Sequence, residues 1–152
     1  GWSDDVFGSA HFDLRCRPAD WRFVVYVDEQ VVSQAGIVNH VVIIGNQKVS
    51  VGGIGGVLTI PSARLKGHAR AMLQAALDFM HREWGAEFGF LICLDRMIPF
   101  YQKLGWQKVV DTVIMDQPSG KMPLPSGLSA MVFPCQDEEW PAGTVEMNSM
   151  PW

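Results

Sequence analysis

Hydrophobic and polar positions first alternate as they do in β-strands. Apolar, β-branched residues form three runs, at residues 22–27, 31–44 and 48–60. Asp28-Glu29-Gln30 ends the first run, and Gly45-Asn46-Gln47 separates the second from the third. Two apolar runs around a short Gly-Asn turn predict an antiparallel hairpin.

After Pro61 the apolar spacing changes from two residues to three or four. One helical face collects the apolar positions Ala69, Met72, Leu73, Ala76, Leu77 and Met80. This spacing predicts an amphipathic helix that Gly85 ends. Further along we predict a strand at 88–94 and a short helix from Asp95, as its cap, to Leu104. Strands at 106–115 and 128–133 follow, separated by a Pro/Gly-rich loop at 117–127.

This order of elements predicts an α/β fold of the α+β kind. We expect a mixed, mostly antiparallel sheet with helices packed on it, and one parallel pair of strands flanking the long helix. The 152 residues suit a single domain spanning 1–152, and 48% apolar against 18% charged residues indicates a globular chain. A net charge of −4 without a long Lys/Arg run argues against nucleic-acid binding. No apolar stretch approaches the roughly 18 residues of a membrane helix.

The three cysteines, Cys16, Cys93 and Cys135, show no C-x-x-C spacing. An odd number without that spacing argues against a disulfide framework and against a zinc site, so we predict reduced thiols and no metal. The first residues lack the pattern of a secretion signal, and we expect a cytoplasmic protein. Nothing in the spacing supports a Cys–His hydrolase built on Cys93.

Candidate chemistry lies where the third apolar run meets the long helix. A short loop with Arg64, Lys66 and Gly67 leads straight into the helix. Backbone N–H groups and the positive end of the helix dipole then point at one place, which suits a phosphate. The alternative is an ordinary strand-to-helix turn, in which Gly67 relieves crowding.

A second motif further along the chain gives this loop a context. The loop is Arg64-x-x-Gly67-x-Ala69, and the later segment reads Phe100-Tyr101-Gln102-Lys103-Leu104-Gly105-Trp106. In this order and spacing the two motifs resemble the signature of the GNAT superfamily of acetyl-CoA-dependent N-acetyltransferases. The resemblance covers nearly all of the chain from Trp21 to Trp106.

The resemblance implies the GNAT fold, with helices on both faces of the sheet. In that fold the strand before the loop carries a bulge and splays away from the next parallel strand. The pantetheine arm of acetyl-CoA enters the resulting V-shaped gap. Gly52-Gly53-Ile54-Gly55-Gly56 fits such a bulge, because glycine in a strand marks a bulge or a close backbone approach. Alternatively, these glycines only let bulky neighbours pack across the strand.

The resemblance also implies the site residues. In GNAT enzymes a tyrosine at the position of Tyr101 protonates the departing thiolate, and its ordinary pKa near 10 suits that task. The Leu58 N–H would polarise the thioester carbonyl. The alternative for Tyr101 is a core tyrosine. The implied cofactor-binding set is Val57, Leu58, Thr59, Arg64, Leu65, Lys66, Gly67, His68, Ala69 and Arg70.

Within the superfamily, the C-terminal part looks most like the aminoglycoside 2′-N-acetyltransferase group. That likeness implies that the carboxylate of Trp152 attracts a cationic amine in the acceptor site. Asp4, Asp5 and the pair Glu138-Glu139 would add negative charge.

Two positions depart from the pattern of that group. Gly55 stands where those enzymes carry an acidic residue, and Met150 stands where they carry an aspartate. No residue is therefore assigned as the general base.

A third departure concerns the beginning of the domain. GNAT domains open with a strand and a helix before the segment that begins here. We therefore expect an exposed sheet edge beside the strand at 22–27 and an uncovered apolar patch. A second subunit of a homodimer would bury both, unless Trp2, Val6, Phe7 and Phe12 fold over them.

The sequence thus predicts acetyl transfer from acetyl-CoA to a primary amine by direct attack. The acceptor would be a small molecule, such as an aminoglycoside or another small cationic amine, and a peptide N-terminus or a lysine side chain is the open alternative. A truncated GNAT-like protein that binds acyl-CoA without transferring the acetyl group is the alternative. An unrelated nucleotide-binding domain is disfavoured, because the loop lacks a Gly-Lys-Ser/Thr ending and no G-x-G-x-x-G follows a strand.

Overall fold

The computed structural model describes residues 12–152, so Trp2, Asp4, Asp5, Val6 and Phe7 lie outside the described residues. Short 3₁₀ turns at Pro61–Ala63 and Asp95–Met97 precede the two α-helices. The described elements are β1 (Trp21–Val27), β2 (Gln30–Ile44), β3 (Gln47–Thr59), α1 (His68–Trp84), β4 (Phe88–Leu94), α2 (Ile98–Lys103), β5 (Gln107–Lys108), β6 (Val113–Gln117), β7 (Gly120–Pro123), β8 (Leu128–Pro134) and β9 (Val145–Glu146).

The strands form one mixed sheet in the order β5-β8-β4-β3-β2-β9-β6-β7, and β1 pairs with the first half of β2. β2 and β3 form the predicted antiparallel hairpin, in which Gly45 adopts a φ of +61°. β3 and β4 are the predicted parallel pair, and α1 connects them. β6 and β9 form a second parallel pair, so the expectation of a single pair was wrong.

The predicted strand at 106–115 is broken into two pieces. β5 pairs with β8 at one end of the sheet, whereas β6 pairs with β9 and β7 at the other end. The break leaves Val110 89% exposed. Because residues 109–112 connect β5 at one end of the strand order to β6 near the other end, the sheet curls back on itself. β7, which lies inside the predicted 117–127 loop, and the two-residue β9 were not predicted.

α1 packs on one face of the sheet through the predicted apolar stripe. Met72, Leu73, Ala76, Leu77 and Met80 are all buried. Gly85 ends the helix with a φ of +66°, and its N–H donates to the His81 carbonyl, which confirms the predicted helix end.

The same cluster includes Tyr101 of α2, so both described helices lie on one face. The expectation of helices on both faces is therefore not met by residues 12–152. A second core cluster, enclosed by the curled sheet, includes Phe88, Phe90 and Met115. Trp140 and Trp152 of the C-terminal segment pack against it.

No helix in the described part of the chain is long and apolar enough to cross a membrane.

β1 lies at an edge of the described sheet and exposes large side chains. Trp21 is 63% exposed and Tyr26 is 62% exposed, and Val24 and Val27 are exposed as well. The expected exposed sheet edge is therefore present in the described residues, and exposed apolar side chains lie along β1. Phe12 lies close to Gly127, in the loop before β8.

Candidate active site between β3 and β4

A gap opens between the two parallel strands at their carboxyl ends. β3 and β4 pair from Val51 with Phe88 to Ile54 with Leu91. Beyond this last pair β3 continues to Thr59 and β4 to Leu94 without pairing to each other. The predicted V-shaped splay is therefore present.

A β-bulge in β3 lies just beyond the last β3–β4 pair. Gln34 pairs with Leu58 and Gly36 with Gly55, so β3 has one residue more than β2 between these two pairs. Gly56 adopts a φ of +58°, which glycine tolerates without steric cost. The bulge is the one that the glycine-rich segment predicted, and it turns β3 away from β4.

Contacts with β2 fix the direction of the main-chain groups after the bulge. The Ile60 N–H donates to the Val32 carbonyl at 2.9 Å, and the Leu58 carbonyl accepts from the Ser33 hydroxyl at 3.0 Å. Leu58 and Ile60 therefore turn their main-chain groups toward β2. Since these groups alternate along an extended strand, those of Val57 and Thr59 face the gap.

The polarising role expected for the Leu58 N–H does not fit this register. A shift of one residue turns a main-chain group to the other side of the strand, and the bulge sets that register. Ser33, which is fully buried, was not predicted as a site residue. Its hydroxyl contacts both the Leu58 carbonyl and the Thr59 hydroxyl and so ties the end of β3 to β2.

The start of α1 presents unpaired N–H groups. Gly67 is the N-cap with a φ of +80°, and the first helical hydrogen bond runs from the Ala71 N–H to the Gly67 carbonyl. The N–H groups of Gly67, His68, Ala69 and Arg70 therefore have no acceptor within the helix. No side chain caps this end, and its first turn has no acidic residue. The positive end of the helix dipole is thus left unneutralised.

Cationic side chains surround these N–H groups. Arg64, Lys66 and Arg70 are exposed, and none forms an ion pair with a residue in the 12–152 range. The Arg64 Nε–H donates to the Thr59 carbonyl at 3.1 Å, which holds the loop against the end of β3. Leu65 adopts a φ of +60° and is fully exposed. The loop and helix start together form a positive concavity suited to phosphate.

Tyr101 is held in the core by α2. It is 5% exposed, and its ring lies 5.1 Å from the Phe100 ring and 6.0 Å from the Trp106 ring. Its hydroxyl forms no hydrogen bond with any residue that the structure describes. Burial, with a smaller contribution from Cys93, raises its pKa far above the usual value, so the phenol stays protonated at neutral pH.

The junction before α2 is organised differently from the prediction. Asp95 does not cap a helix, because its Oδ1 accepts a hydrogen bond from the Ser129 hydroxyl at 2.6 Å. Pro99 lies in the first turn of α2, as predicted. Burial, together with Asp95, raises the pKa of Cys93 to about 11. Its thiol is therefore a poor nucleophile at neutral pH.

Trp152 lies across the sheet at the head of the gap, which is the point where β3 and β4 begin to separate. A Cβ added at Gly53 would meet its ring, with Cζ2 at 2.7 Å, and one added at Gly55 would meet its main-chain oxygen. Its indole N–H donates to the Phe90 carbonyl at 3.4 Å, and its ring stacks edge-on with His40 at 5.5 Å. His40 in turn contacts the Met147 carbonyl through Nε2 at 2.6 Å.

Two of the four other acceptor-side residues that the resemblance implies lie in the described part of the chain. Glu138 and Glu139 are exposed, while Asp4 and Asp5 lie outside the described residues. Within residues 12–152, no three His, Cys, Asp or Glu side chains lie close enough together to hold a metal ion.

The sequence of residues 10–109 matches the family model described as an acetyltransferase (GNAT) domain. This match covers well over half of the chain. The protein belongs to the GNAT acetyltransferase family. No curated protein matches the sequence significantly.

Solved GNAT structures share the fold. The chain is similar to the GNAT family N-acetyltransferase YhbS from Escherichia coli, solved in complex with CoA, with 18% identity and a TM-score of 0.62 over 86% of this chain and 68% of that one. It is also similar to the ribosomal-protein-S18-alanine N-acetyltransferase from Escherichia coli, with 14% identity and a TM-score of 0.53 over 78% of this chain and 71% of that one.

A third similar structure is a much longer protein. The GCN5-related N-acetyltransferase from Kribbella flavida is 24% identical with a TM-score of 0.51, over 57% of this chain and 22% of that one. The chain therefore spans about a fifth of the length of that relative. None of these comparisons supports the further likeness to the aminoglycoside 2′-N-acetyltransferase group.

Proposed function

We propose that the protein transfers the acetyl group of acetyl-CoA to a primary amine that attacks directly. The observation that carries this proposal is the bulged β3, which separates from β4 and leads straight into a positively charged helix start. Acetyl-CoA has a pyrophosphate, a thin arm and a thioester. The loop, the gap and the tyrosine provide a matching group for each part.

The loop would hold the pyrophosphate. The N–H groups from Gly67 to Arg70 are unpaired within the helix, and they lie beside the positive charges of Arg64 and Lys66. Binding an anion there satisfies donors that would otherwise rely on water. Thr59, whose carbonyl accepts from Arg64, connects the loop to the gap.

The gap would hold the arm and orient the reacting carbonyl. When bound, acetyl-CoA supplies an acetyl group activated as a thioester. We assign the hydrogen bonds to that carbonyl and to the arm to the N–H groups of Val57 and Thr59, which face the gap. Donors fixed in a sheet need no reorganisation during the reaction, which makes them effective stabilisers of developing negative charge.

Tyr101 would hold a proton for the leaving sulfur at its Oη atom. Its raised pKa keeps that proton in place at neutral pH. The same burial that raises the pKa of a phenol also raises that of a thiol. We therefore assign Tyr101 as the proton donor to the leaving sulfur. Cys93 is assigned no part, since its raised pKa leaves little thiolate.

The amine would approach on the face of the sheet that Trp152 covers. The main-chain oxygen of Trp152 lies against Gly55, at the head of the gap, where it can accept a hydrogen bond from an ammonium or amine. A small cationic amine is the acceptor class that we propose. No residue is assigned as its base.

The first test combines two measurements on the same sample. Calorimetric titration with acetyl-CoA reports binding, and a free-thiol assay with a panel of amines reports transfer. We expect binding, and thiol release with at least one amine. Binding without release would favour an acyl-CoA-binding protein, and the absence of binding would refute the assignment of the loop.

A matched pair of lysine variants sharpens the binding test. Lys66→Ala removes a charge from the loop, whereas Lys48→Ala removes one from the exposed start of β3. We expect acetyl-CoA to bind several-fold more weakly to Lys66→Ala, with a reduced salt dependence, and unchanged to Lys48→Ala. Equal affinities for the two variants would contradict a phosphate-binding role for the loop.

We also propose that a second copy of the chain covers the exposed edge of β1. Trp21 and Tyr26 are large and exposed near the two ends of β1, whose outer edge pairs with no strand in the described residues. Light scattering at micromolar concentration should give the mass of a homodimer. A monodisperse monomer would contradict this assignment.

A further inference from the structure

The indole of Trp152 bridges β3 and β4 at the head of the gap. Gly53 and Phe90 are register partners in this parallel pair, one position before the last paired residues. The ring lies against Gly53, where an added Cβ would come within 2.7 Å of its Cζ2 atom, and its N–H donates to the Phe90 carbonyl at 3.4 Å. One ring therefore spans both arms of the gap at the point where they begin to separate.

Two further rings hold the indole in this orientation. The Phe90 ring meets it edge-to-face with 5.7 Å between the centroids, and the His40 ring of β2 does so at 5.5 Å. His40 is itself fixed by its contact with the Met147 carbonyl, which lies 2.6 Å from Nε2. Edge-to-face packing on two sides and a hydrogen bond together favour a single orientation of the indole. The ring thus forms a fixed wall.

The surroundings of this wall leave little free depth at the head of the gap. Ile54 and Leu91, the last paired residues, point to the opposite face and belong to the core cluster under α1. Ile92 follows on the Trp152 face of β4 and packs against the second core cluster. Protein interiors packed in this way contain few voids. A group that reaches the head of the gap therefore meets the indole.

The proposed acetyl transfer directs the acyl chain toward this wall. The arm of acetyl-CoA enters from the loop, so the sulfur lies on the loop side of the reacting carbon. The carbonyl oxygen faces the N–H groups of Val57 and Thr59 on β3. The remaining substituent of this trigonal carbon is the acyl chain, which then extends away from the loop and toward the head of the gap.

We propose that Trp152 restricts the acyl donor to acetyl-CoA, because a longer acyl chain would run into its indole. The inference rests on the proposed acetyl transfer and makes Trp152 a specificity-determining residue for the donor. One methylene more or less in an apolar pocket changes kcat/KM by roughly 10- to 200-fold. Leucine or alanine at this position keeps the main-chain oxygen beside Gly55 but removes the ring, so the gap would accept a butyryl group.

Calorimetric titration with acetyl-CoA, butyryl-CoA and free CoA tests the wall without any amine. The wild type should bind butyryl-CoA roughly tenfold or more weakly than acetyl-CoA, whereas Trp152→Leu and Trp152→Ala should bind the two within about threefold of each other. The affinity for free CoA, which has no acyl chain, should be the same in all proteins.

Trp140→Leu is the matched control. The Trp140 ring also packs against Phe90, at 6.0 Å, but it lies toward Phe88 at the start of β4, away from the gap. This variant loses a comparable aromatic contact with the same core cluster and should keep the wild-type preference for acetyl-CoA. Circular dichroism verifies that each variant is folded, and Trp152→Leu is the milder change should Trp152→Ala unfold.

Thiol release with an amine gives a second readout. The ratio of kcat/KM for butyryl-CoA to that for acetyl-CoA is taken within each protein, so a general loss of activity cancels. This ratio should rise roughly tenfold or more in both Trp152 variants and stay unchanged in Trp140→Leu.

Equal binding of acetyl-CoA and butyryl-CoA to the wild type, or an unchanged preference in the folded Trp152 variants, would overturn the proposal. If the binding preference shifts as expected but no protein acylates an amine, the proposed function fails while the assignment of Trp152 holds. If amines are acetylated but the donor preference is the same in all proteins, the assignment of Trp152 fails while the proposed function holds.

Discussion

Replacing Tyr101 by phenylalanine isolates its hydroxyl group from its packing. The ring is 5% exposed and stacks against Phe100 and Trp106, whereas the hydroxyl has no hydrogen-bond partner among the described residues. Phenylalanine keeps the ring, so the free energy of unfolding should change by less than about 0.5 kcal/mol. Alanine would instead leave a cavity and lower the free energy of unfolding by about 3–5 kcal/mol. A loss of activity could then come from unfolding as well as from the missing hydroxyl.

The expected effect of Tyr101→Phe is on turnover. Loss of a positioned proton donor should lower kcat by roughly ten- to a thousandfold, or about 1.4–4 kcal/mol of transition-state stabilisation. The affinity for acetyl-CoA should not change, because the hydroxyl acts on the leaving sulfur. Since the pKa of Tyr101 is raised far above its usual value, the wild-type rate should show no alkaline decline caused by its ionisation between about pH 7 and 10.

The assay is thiol release at saturating acetyl-CoA and amine, with a single-turnover experiment to confirm that chemistry limits the rate. Tyr26→Phe is the control, because Tyr26 is the other tyrosine of the chain and is 62% exposed on β1. It should match the wild type. If Tyr101→Phe turned over within about twofold of the wild type under chemistry-limited conditions, the tyrosine would have no role as proton donor.

Three further predictions concern glycine packing, the phosphate loop and alkaline stability. Gly52→Ala should lower the free energy of unfolding by about 1–3 kcal/mol in urea titrations, because the new Cβ would lie 2.9 Å from the Met80 Cβ. Gly67→Ala should weaken acetyl-CoA binding in calorimetry. It should also lower the free energy of unfolding by about 1–2 kcal/mol, because Gly67 has a φ of +80°, and no further clash is expected since no neighbour lies within 4 Å of a new Cβ. Because the native pKa of Cys93 is raised to about 11, the unfolded chain loses this proton first and stability should fall from about pH 9 to 11. Urea titrations across that range should show that the free energy of unfolding depends less on pH in Cys93→Val than in the wild type. The same pH dependence in both proteins would contradict the raised pKa of Cys93.

The elements that could be predicted from sequence are those with local signals. The apolar stripe from Met72 to Met80 and the glycine at 85 fix α1, because a helix satisfies its hydrogen bonds within itself. The β2–β3 hairpin follows from two apolar runs around a Gly-Asn turn. The strand at 88–94 was predicted with its observed bounds, since it is short, apolar and enclosed by turn residues.

Elements set by distant partners could not be predicted. The segment 106–115 has strand character throughout, and nothing local indicates that β5 joins β8 while β6 joins β9. β9 has two residues, too few for any periodicity. The choice between Leu58 and its neighbours as the groups facing the gap depends on where the bulge inserts its extra residue. Four nearby glycines could each accommodate it, so the sequence leaves the register open by one residue.

The glycine-rich segment of β3 had two interpretations, packing or a bulge, and each applies to different glycines. Gly52 faces Met80 of α1, while Gly53 and Gly55 face Trp152 on the opposite side of the sheet, and all three have no room for a Cβ. Gly56 has free space around it but a φ of +58°, so glycine is needed at this position for the backbone conformation of the bulge. The absence of side chains on β3 therefore lets an aromatic residue lie directly on the strand at the point where the bulge opens the gap. The same short segment thus sets both the splay that would admit the cofactor and the closeness of Trp152 to it.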